Sequence, residues 1–168
     1  MKEIFLTADH HFGHHKILQY EEKRGVRFSS IEEHDEFLIE QWNAVVRPVD
    51  TVYHLGDLAF GHQGFNVARR LNGYKKLILG NHDILDTQDY LQVFAKLHGS
   101  LFFKGTALLS HIPVHPQQLN SRYLFNVHGH MHGRAGIEDK RYIDIGVDAW
   151  DFKPVAWSDL KKVMEERL

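Results

Sequence analysis

The stretch IFLTADHH, residues 4–11, is an apolar run that ends in an aspartate and two histidines. Residues 4–8 predict a β-strand because they combine apolar and β-branched side chains, and Asp9 and His11 follow at the carboxyl end. Four later apolar runs are followed by polar groups in the same way. The other predicted strands are residues 51–55, 75–79, 106–109, 123–127 and 142–147.

Side chains that bind metal or titrate follow five of these runs. Asp9 and His11 follow the first run, and the later runs are followed by Gly56 and Asp57, by Gly80, Asn81, His82 and Asp83, by His111, and by His130 and His132. In open α/β sheets the loops at the carboxyl edge converge, and ligands bind there. Residues i and i+2 of an extended chain point to the same side, so each Asp-x-His or His-x-His pair is predicted to aim at one centre.

The donor types in this set indicate which ions would bind. Seven side chains offer carboxylate, imidazole or amide donors: Asp9, His11, Asp57, Asn81, His111, His130 and His132. The chain contains no cysteine, and oxygen and imidazole donors without sulfur suit borderline divalent ions such as Mn, Fe or Zn. A tetrahedral zinc ion takes four ligands, so seven donors predict two ions that share a carboxylate.

The helical signals lie between and after the strands. A helix beginning at Ser30 is predicted from a capping box with Glu33, in which each side chain satisfies a free backbone N–H. Three further helices are predicted: residues 65–71 ending before Gly73, residues 90–97 ending before Gly99, both glycines being left-handed C-caps, and a terminal helix that begins at Ser158. The pattern predicts a layered α/β fold, with residues 1–168 forming a single domain.

Composition and charge exclude several classes of protein. With 20 Lys and Arg against 22 Asp and Glu, the net charge of −2 disfavours a protein that holds extended nucleic acid by neutralising phosphates. The absence of cysteine excludes disulfides and thiolate nucleophiles. No run of about 18 apolar residues is present, and the start MKEIFLTADHH does not resemble a signal peptide, so a cytoplasmic location is expected.

This sequence resembles the calcineurin-like metallophosphoesterase superfamily in five blocks, in the family's order: Asp9-x-His11, Gly56-Asp57, Gly80-Asn81-His82-Asp83, His111 and Gly129-His130-x-His132. The stretches TADHHFGHHKI (7–17) and GVDAWDFKPV (146–155) look similar to small single-domain bacterial and phage members. The resemblance implies a four-layer αββα sandwich with a dinuclear metal site at the carboxyl edge of the strands.

The resemblance also implies a role for each residue in the blocks. The first ion would be held by Asp9, His11 and His132, the second by Asn81, His111 and His130, and Asp57 would bridge the two. His82 would donate a proton to the leaving group as the general acid. The implied enzyme hydrolyses phosphate mono- or diesters with a hydroxide that two divalent ions activate, Mn being favoured and Fe, Zn or Ni being alternatives. A small nucleotide, a cyclic nucleotide or a similar diester is the favoured substrate.

Other residues are candidates for contact with this substrate. His14 lies just after the first ligand pair, and Arg134 is the cation nearest to the last one, so both are expected to bind substrate. Arg122 is a weaker candidate for the same role. Trp150 and Phe152 could stack a base, although packing in the core is the favoured interpretation.

The remaining histidines are expected to be partly buried or solvated, without a direct role. His34 and His98 are predicted on exposed helix surfaces, and His128 could fix the orientation of a metal ligand.

The sequence departs from one branch of the family. Phosphoprotein phosphatases follow the Gly-Asp block with an acid that orients the general acid and an arginine that grips phosphate, and residues 56–61, GDLAFG, contain neither. This argues against a phosphoprotein phosphatase and leaves the group that orients His82 open, with Asp83 adjacent to it.

Other functions stay open at this point. The chain could be a nuclease that acts on nucleic-acid ends, or a binding scaffold of the same fold that has lost catalysis. A structural metal site is disfavoured because such sites are usually closed by four ligands. A small phosphate ester is the expected partner, no membrane contact is expected, and protein partners are left open.

Overall fold

Strands and helices alternate along most of the chain. The computed structural model describes residues 1–120 and 123–168. Within these residues the strands are β1 (Ile4–Thr7), β2 (Thr51–His54), β3 (Tyr74–Ile78), β4 (Lys96–His98), β5 (Ser100–Phe103), β6 (Ala107–Ser110), β7 (Phe125–His128), β8 (Tyr142–Asp144) and β9 (Val155–Ala156). The helices are α1 (Ile17–Tyr20), α2 (Glu22–Arg27), α3 (Ile31–Val45), α4 (Gly61–Val67), α5 (Thr87–Tyr90) and α6 (Trp157–Arg167). No helix in the described ranges is long and apolar enough to cross a bilayer.

The strands form two mixed sheets. The first sheet has the order β4-β3-β2-β1-β9, with β1 to β4 parallel and β9 antiparallel. The second has the order β5-β6-β7-β8, in which β6, β7 and β8 are parallel and β5 is antiparallel. An isolated bridge pairs Ala8, just after β1, with Gly146, just after β8. The carboxyl edges of the two sheets therefore meet.

The two sheets pack against each other, and helices cover the other face of the first sheet. Successive side chains of β1 point to opposite faces. Phe5 lies in a buried cluster with Trp42 of α3, whereas Leu6 lies in a cluster with Leu109 and Val127 of the second sheet. The first sheet is thus buried on both faces, as parallel strands require. The mixed α/β class predicted from the sequence is confirmed.

The helix starts agree only in part with the sequence prediction. Ser30 caps α3, since its hydroxyl accepts the Glu33 N–H at 3.2 Å. The Glu33 carboxylate instead accepts from the backbone N–H and hydroxyl of Ser29, at 2.8 and 2.7 Å, so the second half of the predicted capping box is wrong. The terminal helix begins at Trp157, with Ala156 as its N-cap, one residue before the predicted start at Ser158.

All six predicted strands are present, with shifts of up to three residues at their ends. The helix predicted at residues 65–71 is present as the end of α4 and a following 3₁₀ helix, Ala68–Arg70. The helix predicted at residues 90–97 is wrong, because α5 ends at Tyr90 and the chain then forms β4, which pairs in parallel with β3. Gly99 accordingly does not have the left-handed backbone of a C-cap.

Candidate metal centre

Two groups of aspartate and histidine side chains lie where the carboxyl edges of the sheets meet. Cluster one consists of Asp9, His11 and His132, and cluster two consists of Asp57, His111 and His130. Within each cluster, one potential ligand atom from every residue lies within 4.8 Å of the others. Each cluster draws residues from loops of both sheets. The structure therefore brings together six of the seven predicted ligands, in the groups that the family resemblance implies.

The Asp57 carboxylate lies between the two clusters. Its Oδ2 atom is 3.6 Å from His11 Nε2 in cluster one and 3.3 Å from His111 Nε2 in cluster two. The seventh predicted ligand, Asn81, lies beside cluster two, with its Oδ1 atom 3.0 Å from His111 Nε2. The predicted bridging and amide positions are thus both adjacent to histidine nitrogens that could bind an ion.

The backbone at these residues is left-handed, which corrects the expectation of extended pairs. The φ angles are 61° at Asp9, 54° at His11, 54° at Asp57, 71° at His130 and 52° at His132. Non-glycine residues rarely adopt positive φ, and such strain concentrates at functional sites. Asp9 and His11 both reach cluster one because the chain turns sharply after β1, whereas His130 and His132 enter different clusters, so the expectation that the His-x-His pair aims at one centre is wrong.

Hydrogen bonds to the histidine rings leave suitable nitrogens free for a cation. The Nδ1–H group of His111 donates to the Leu55 carbonyl at 2.8 Å, and that of His132 donates to Asp148 Oδ2 at 2.9 Å. His11 Nε2 is buried and has no hydrogen-bond partner among the described residues. Metal-binding histidines commonly donate their second ring N–H to a carboxylate or carbonyl in this way. The residues therefore fit divalent ions in both clusters.

Asp9 is the most enclosed of the candidate ligands. Its side chain is completely buried, and the His130 N–H donates to both of its carboxylate oxygens, at 3.0 and 2.9 Å. A Cβ atom on Gly129 or Gly146 would come within 2.8 or 2.6 Å of Asp9 Oδ2, so neither position has room for a side chain. Burial raises the pKa of Asp9 to about 7.

Burial and neighbouring charges shift the pKa values of the other candidate ligands in different directions. Burial lowers the pKa of His11 and of His130, which favours the neutral imidazole that binds metal. Burial also acts to lower the pKa of His111, but the hydrogen bond with Asp57 and the charges of Asp9 and Asp57 together outweigh it, and the pKa is raised. The same hydrogen bond and the charge of His111 lower the pKa of Asp57 against the effect of burial. Protons therefore compete with cations at the clusters.

Asp83 holds the loops of Asp57 and Gly80 together. Its carboxylate accepts the backbone N–H groups of Asp57 at 2.8 Å, Leu58 at 3.1 Å and Gly80 at 2.8 Å. It is therefore occupied by the backbone and does not orient His82, although it is adjacent in sequence. The His82 N–H donates to Asp57 Oδ1 at 2.9 Å, which ties the predicted general acid to the predicted bridging carboxylate.

An open cleft of about 620 Å³ lies over both clusters, and the predicted catalytic and substrate-binding residues line it. His82 is exposed there, with its ring centroid 5.6 Å from that of His11. His14 stacks on Phe60 at 4.5 Å, and its ring is also 5.6 Å from His11. Arg134 lines the same cleft and pairs with Glu21, whereas Arg122 lies outside the described residues.

Several predictions about the remaining residues are corrected. His34 is fully buried on α3, and His98 lies half-buried on β4, so neither is on an exposed helix surface. His128 donates from Nδ1 to the Gly129 carbonyl at 2.8 Å. Phe152 is buried in the core beside α3, and the Trp150 indole N–H donates to the Asp144 carbonyl at 2.7 Å, which agrees with the packing interpretation.

Arg24 and Asp148 support the clusters but were not identified from the sequence. Asp148 follows the strand-like run 142–147 at its carboxyl end, so the rule that found the other ligands could have found it. Arg24 is fully buried although it stands in the charged stretch EEKRGVR, which is typical of an exposed helix. Nothing in the local pattern distinguishes it from its neighbours.

The fold and the clusters define the class: an α/β protein with two groups of aspartate and histidine that could hold metal ions. No protein-family model matches the sequence. The uncharacterized protein MJ1445 of Methanocaldococcus jannaschii is 31% identical over 182 residues, which cover 99% of this chain and 93% of that protein. The gene 66 protein of Mycobacterium phage D29 is 31% identical over 185 residues, covering 89% of this chain and 90% of the phage protein. The chain belongs to the family of these two proteins.

A solved structure shares the architecture. The crystal structure of a protein of unknown function, AQ665 from Aquifex aeolicus, has a TM-score of 0.75 and 25% sequence identity, covering 97% of this chain and all of that chain. An experimentally determined structure therefore has the same overall fold as this chain.

The contact between Gly80 and Asp57 generates a prediction. A Cβ atom on Gly80 would lie 2.2 Å from Asp57 Oδ1 and 2.4 Å from Asp57 N, so Gly80→Ala must displace the Asp57 loop. We expect the variant to bind Mn²⁺ at least about 10-fold more weakly in a calorimetric titration. Gly99→Ala is the matched control, because a Cβ there meets nothing within 4 Å. Equal Mn²⁺ affinity in the two variants would contradict the inference that position 80 must have no side chain.

The burial of Asp9 generates a prediction about pH. In metal-free protein the pKa of Asp9 is about 7 in the folded state, and its ordinary value is 3.8. Between these two pH values the Asp9 carboxyl is therefore protonated in the folded state and ionised in the unfolded state. The stabilisation from this group is full below about pH 4 and is lost as the pH rises to 7. The free energy of unfolding of the wild type, relative to Asp9→Asn, should fall over this range by up to about 1.4 kcal/mol per pH unit. Urea unfolding with a chelator measures it, and a difference that does not vary with pH contradicts the assignment.

Proposed function

We propose that the protein is a metal-dependent phosphoesterase of the calcineurin-like metallophosphoesterase type. The observation that carries the proposal is the position of Asp57 Oδ2, between His11 Nε2 at 3.6 Å and His111 Nε2 at 3.3 Å. A carboxylate in this position suits two cations that share a ligand, which is the arrangement used for displacement at phosphorus. The finer description of the fold as a four-layer αββα sandwich belongs to the same proposal.

The donor set indicates how two ions would be held. Cluster one would hold the first ion, cluster two with Asn81 would hold the second, and Asp57 would contribute to both. Two divalent ions, when bound, supply positive charge to phosphoryl oxygens and lower the pKa of water. Carboxylate, amide and imidazole donors favour Mn, with Fe, Zn and Ni as alternatives.

His82 is the proposed general acid. Its ring is exposed in the cleft, close to His11, and its backbone is held by Asp57 Oδ1. From this position the imidazole can donate a proton to the oxygen that leaves phosphorus. Such proton transfer contributes about 10²–10⁴-fold to rate, and most where the leaving oxygen is strongly basic.

His14 and Arg134 are the proposed substrate-binding residues. His14 Nδ1 is buried without a hydrogen-bond partner among the described residues, and its ring lies beside His11 and His82. Arg134 pairs with Glu21 at the cleft, where its guanidinium can turn to a phosphate oxygen. An open cleft lined by these groups suits a small nucleotide, a cyclic nucleotide or a similar diester.

The competing functions differ in measurable ways. A binding scaffold of the same fold would bind two ions without hydrolysing any ester, and a nuclease would prefer oligonucleotide ends to mononucleotides. A panel of aryl phosphate mono- and diesters, 2′,3′- and 3′,5′-cyclic nucleotides and a short oligonucleotide, each with Mn, Ni, Zn and Mg, separates these functions from the proposed one. Hydrolysis of small esters that requires an added divalent ion is the expected result.

Asp57→Asn should abolish hydrolysis of every substrate in this panel. The variant removes the shared carboxylate charge, so we expect a loss of more than about 100-fold, since changing only a supporting residue of a metal site costs about 10–100-fold. Asp159→Asn is the control, because that carboxylate is exposed and pairs only with Lys162 among the described residues. Hydrolysis by Asp57→Asn at the wild-type rate would exclude the proposed site.

His82→Ala should separate substrates by their leaving groups. Alkyl phosphate esters, whose leaving oxygen needs a proton, should be hydrolysed about 10²–10⁴-fold more slowly, and p-nitrophenyl esters should change little. His62→Ala removes an exposed histidine of α4 and should leave both rates unchanged. An equal loss on both kinds of ester would show that His82 does not act as the acid.

A further inference from the structure

Arg24 is a fully buried arginine whose guanidinium reaches several parts of the site. It forms a fork with Asp148, with Nε donating to Oδ1 at 2.8 Å and Nη2 donating to Oδ2 at 2.5 Å. Nη2 also donates to the Asp9 carbonyl at 2.6 Å, and Nη1 donates to the His10 carbonyl at 3.0 Å. A buried arginine is stable only when its N–H groups are satisfied in this manner.

Two of the three residues of cluster one depend on this arginine. The Asp148 oxygen that accepts from Arg24 Nη2 also accepts the Nδ1–H of His132 at 2.9 Å, which fixes the ring orientation of His132. The carbonyl of Asp9, held directly by Arg24, belongs to a residue with φ of 61°. Arg24 thus restrains both a ligand ring and the strained backbone of a second ligand.

Arg24 is itself held from the side of α3. Its Nη1 atom lies 3.2 Å from His34 Nε2, and His34 Nδ1 lies 2.8 Å from Asp35 Oδ1. Asp35 Oδ2 accepts the Gly13 N–H at 2.8 Å, in the turn that precedes His14. A continuous chain of hydrogen bonds therefore joins α2 and α3 to the loop after β1.

Stability alone does not account for this arrangement. Burying an arginine–aspartate pair carries a desolvation cost that its attraction often fails to exceed, and well-packed apolar residues can replace such pairs. Here two of the three Arg24 contacts beyond the fork are donated to carbonyls of the loop that carries Asp9 and His11, and the third is made with His34. The network is therefore directed to the candidate metal centre.

We infer that Arg24, acting with Asp148, is a positioning residue of cluster one, which holds the His132 ring and the Asp9 backbone in the geometry that binds a divalent ion. The inference rests on the proposed binding of ions at the two clusters. It adds that occupancy of one cluster depends on a residue that contacts no ion and no substrate, whereas cluster two does not depend on it.

The test is calorimetric titration of the metal-free full chain with Mn²⁺. Wild-type protein should bind two ions. Asp148→Asn, which removes an acceptor from both Arg24 and His132, should bind one ion about 10–100-fold more weakly and the other with unchanged affinity. Arg24→Lys keeps the charge but loses the fork, and should give the same selective loss; it is also the second variant if Asp148→Asn does not fold.

The control is a fork of the same kind at the opposite edge of the first sheet. Arg47 donates from Nε and Nη2 to the buried Asp50, at 2.9 and 2.7 Å, and Asp50 also accepts the Glu3 N–H before β1. Asp50→Asn should lower the melting temperature of the metal-free protein and leave both Mn²⁺ affinities unchanged. The ring ¹⁵N shifts of His132 in metal-free Asp148→Asn should change, and those in Asp50→Asn should not.

The possible failures are distinct. Wild-type protein that binds no Mn²⁺ overturns the proposed function, and this inference with it. Wild-type protein that binds two ions, with Asp148→Asn and Arg24→Lys binding both at wild-type affinity, overturns the inference alone. Equal weakening of both ions in these variants also overturns it, because that result indicates a general structural role.

Discussion

The contact between the Asp9 carboxylate and the His130 N–H is the interaction on which the centre depends. Asp9 follows β1 of the first sheet, and His130 follows β7 of the second, so this contact joins the sheets where their functional loops meet. The bridge between Ala8 and Gly146, with the Val147 N–H donating to the Ala8 carbonyl at 3.1 Å, fixes the same edge from the other side. Neither cluster could form if the sheets slid relative to each other, because each cluster takes residues from both.

The contact between the two sheets at this edge requires strained backbone and close packing in the surrounding loops. The left-handed backbone at residues such as Asp9 and Asp57 lets a carboxylate turn back over the sheet edge directly after a strand. Glycines remove the obstacles: Gly80 lies against Asp57, and Gly146 lies against Asp9. Strained backbone persists only where surrounding contacts over-determine it, and here the buried Arg24 network and Asp83 supply those contacts.

Six of the nine strands in the described residues and the ligand candidates could be predicted from the sequence because both depend on local patterns, whereas β4, β5 and β9 were not predicted. Apolar runs give the strands, and polar residues at their carboxyl ends give the donors, whereas the grouping of Asp9 with His132 was implied only by the family resemblance. The left-handed loops could not be predicted, since no residue type at these positions demands positive φ. The burial of Arg24 and His34 could not be predicted for a related reason. Arg24 is buried against Asp148, a partner more than 100 residues away, and His34 is buried where α3 meets Arg24 of α2. The periodicity of the local sequence carries no information about either contact.

The charge balance of the centre explains why cations fit it. Arg24 is already committed to Asp148, and neither Asp9 nor Asp57 has a lysine or arginine within ion-pair distance in the described parts of the chain. Among the described residues, the basic groups within ion-pair distance of these carboxylates are the imidazoles of His11 and His111, and burial keeps His11 in the neutral form. Two buried carboxylates without a permanent positive partner are costly unless they take up protons or cations. The raised pKa of Asp9 means that this carboxylate takes up a proton in the metal-free protein. A pair of divalent ions that share Asp57 would instead compensate the negative charge of both carboxylates at once. We therefore place the proposed chemistry at this edge.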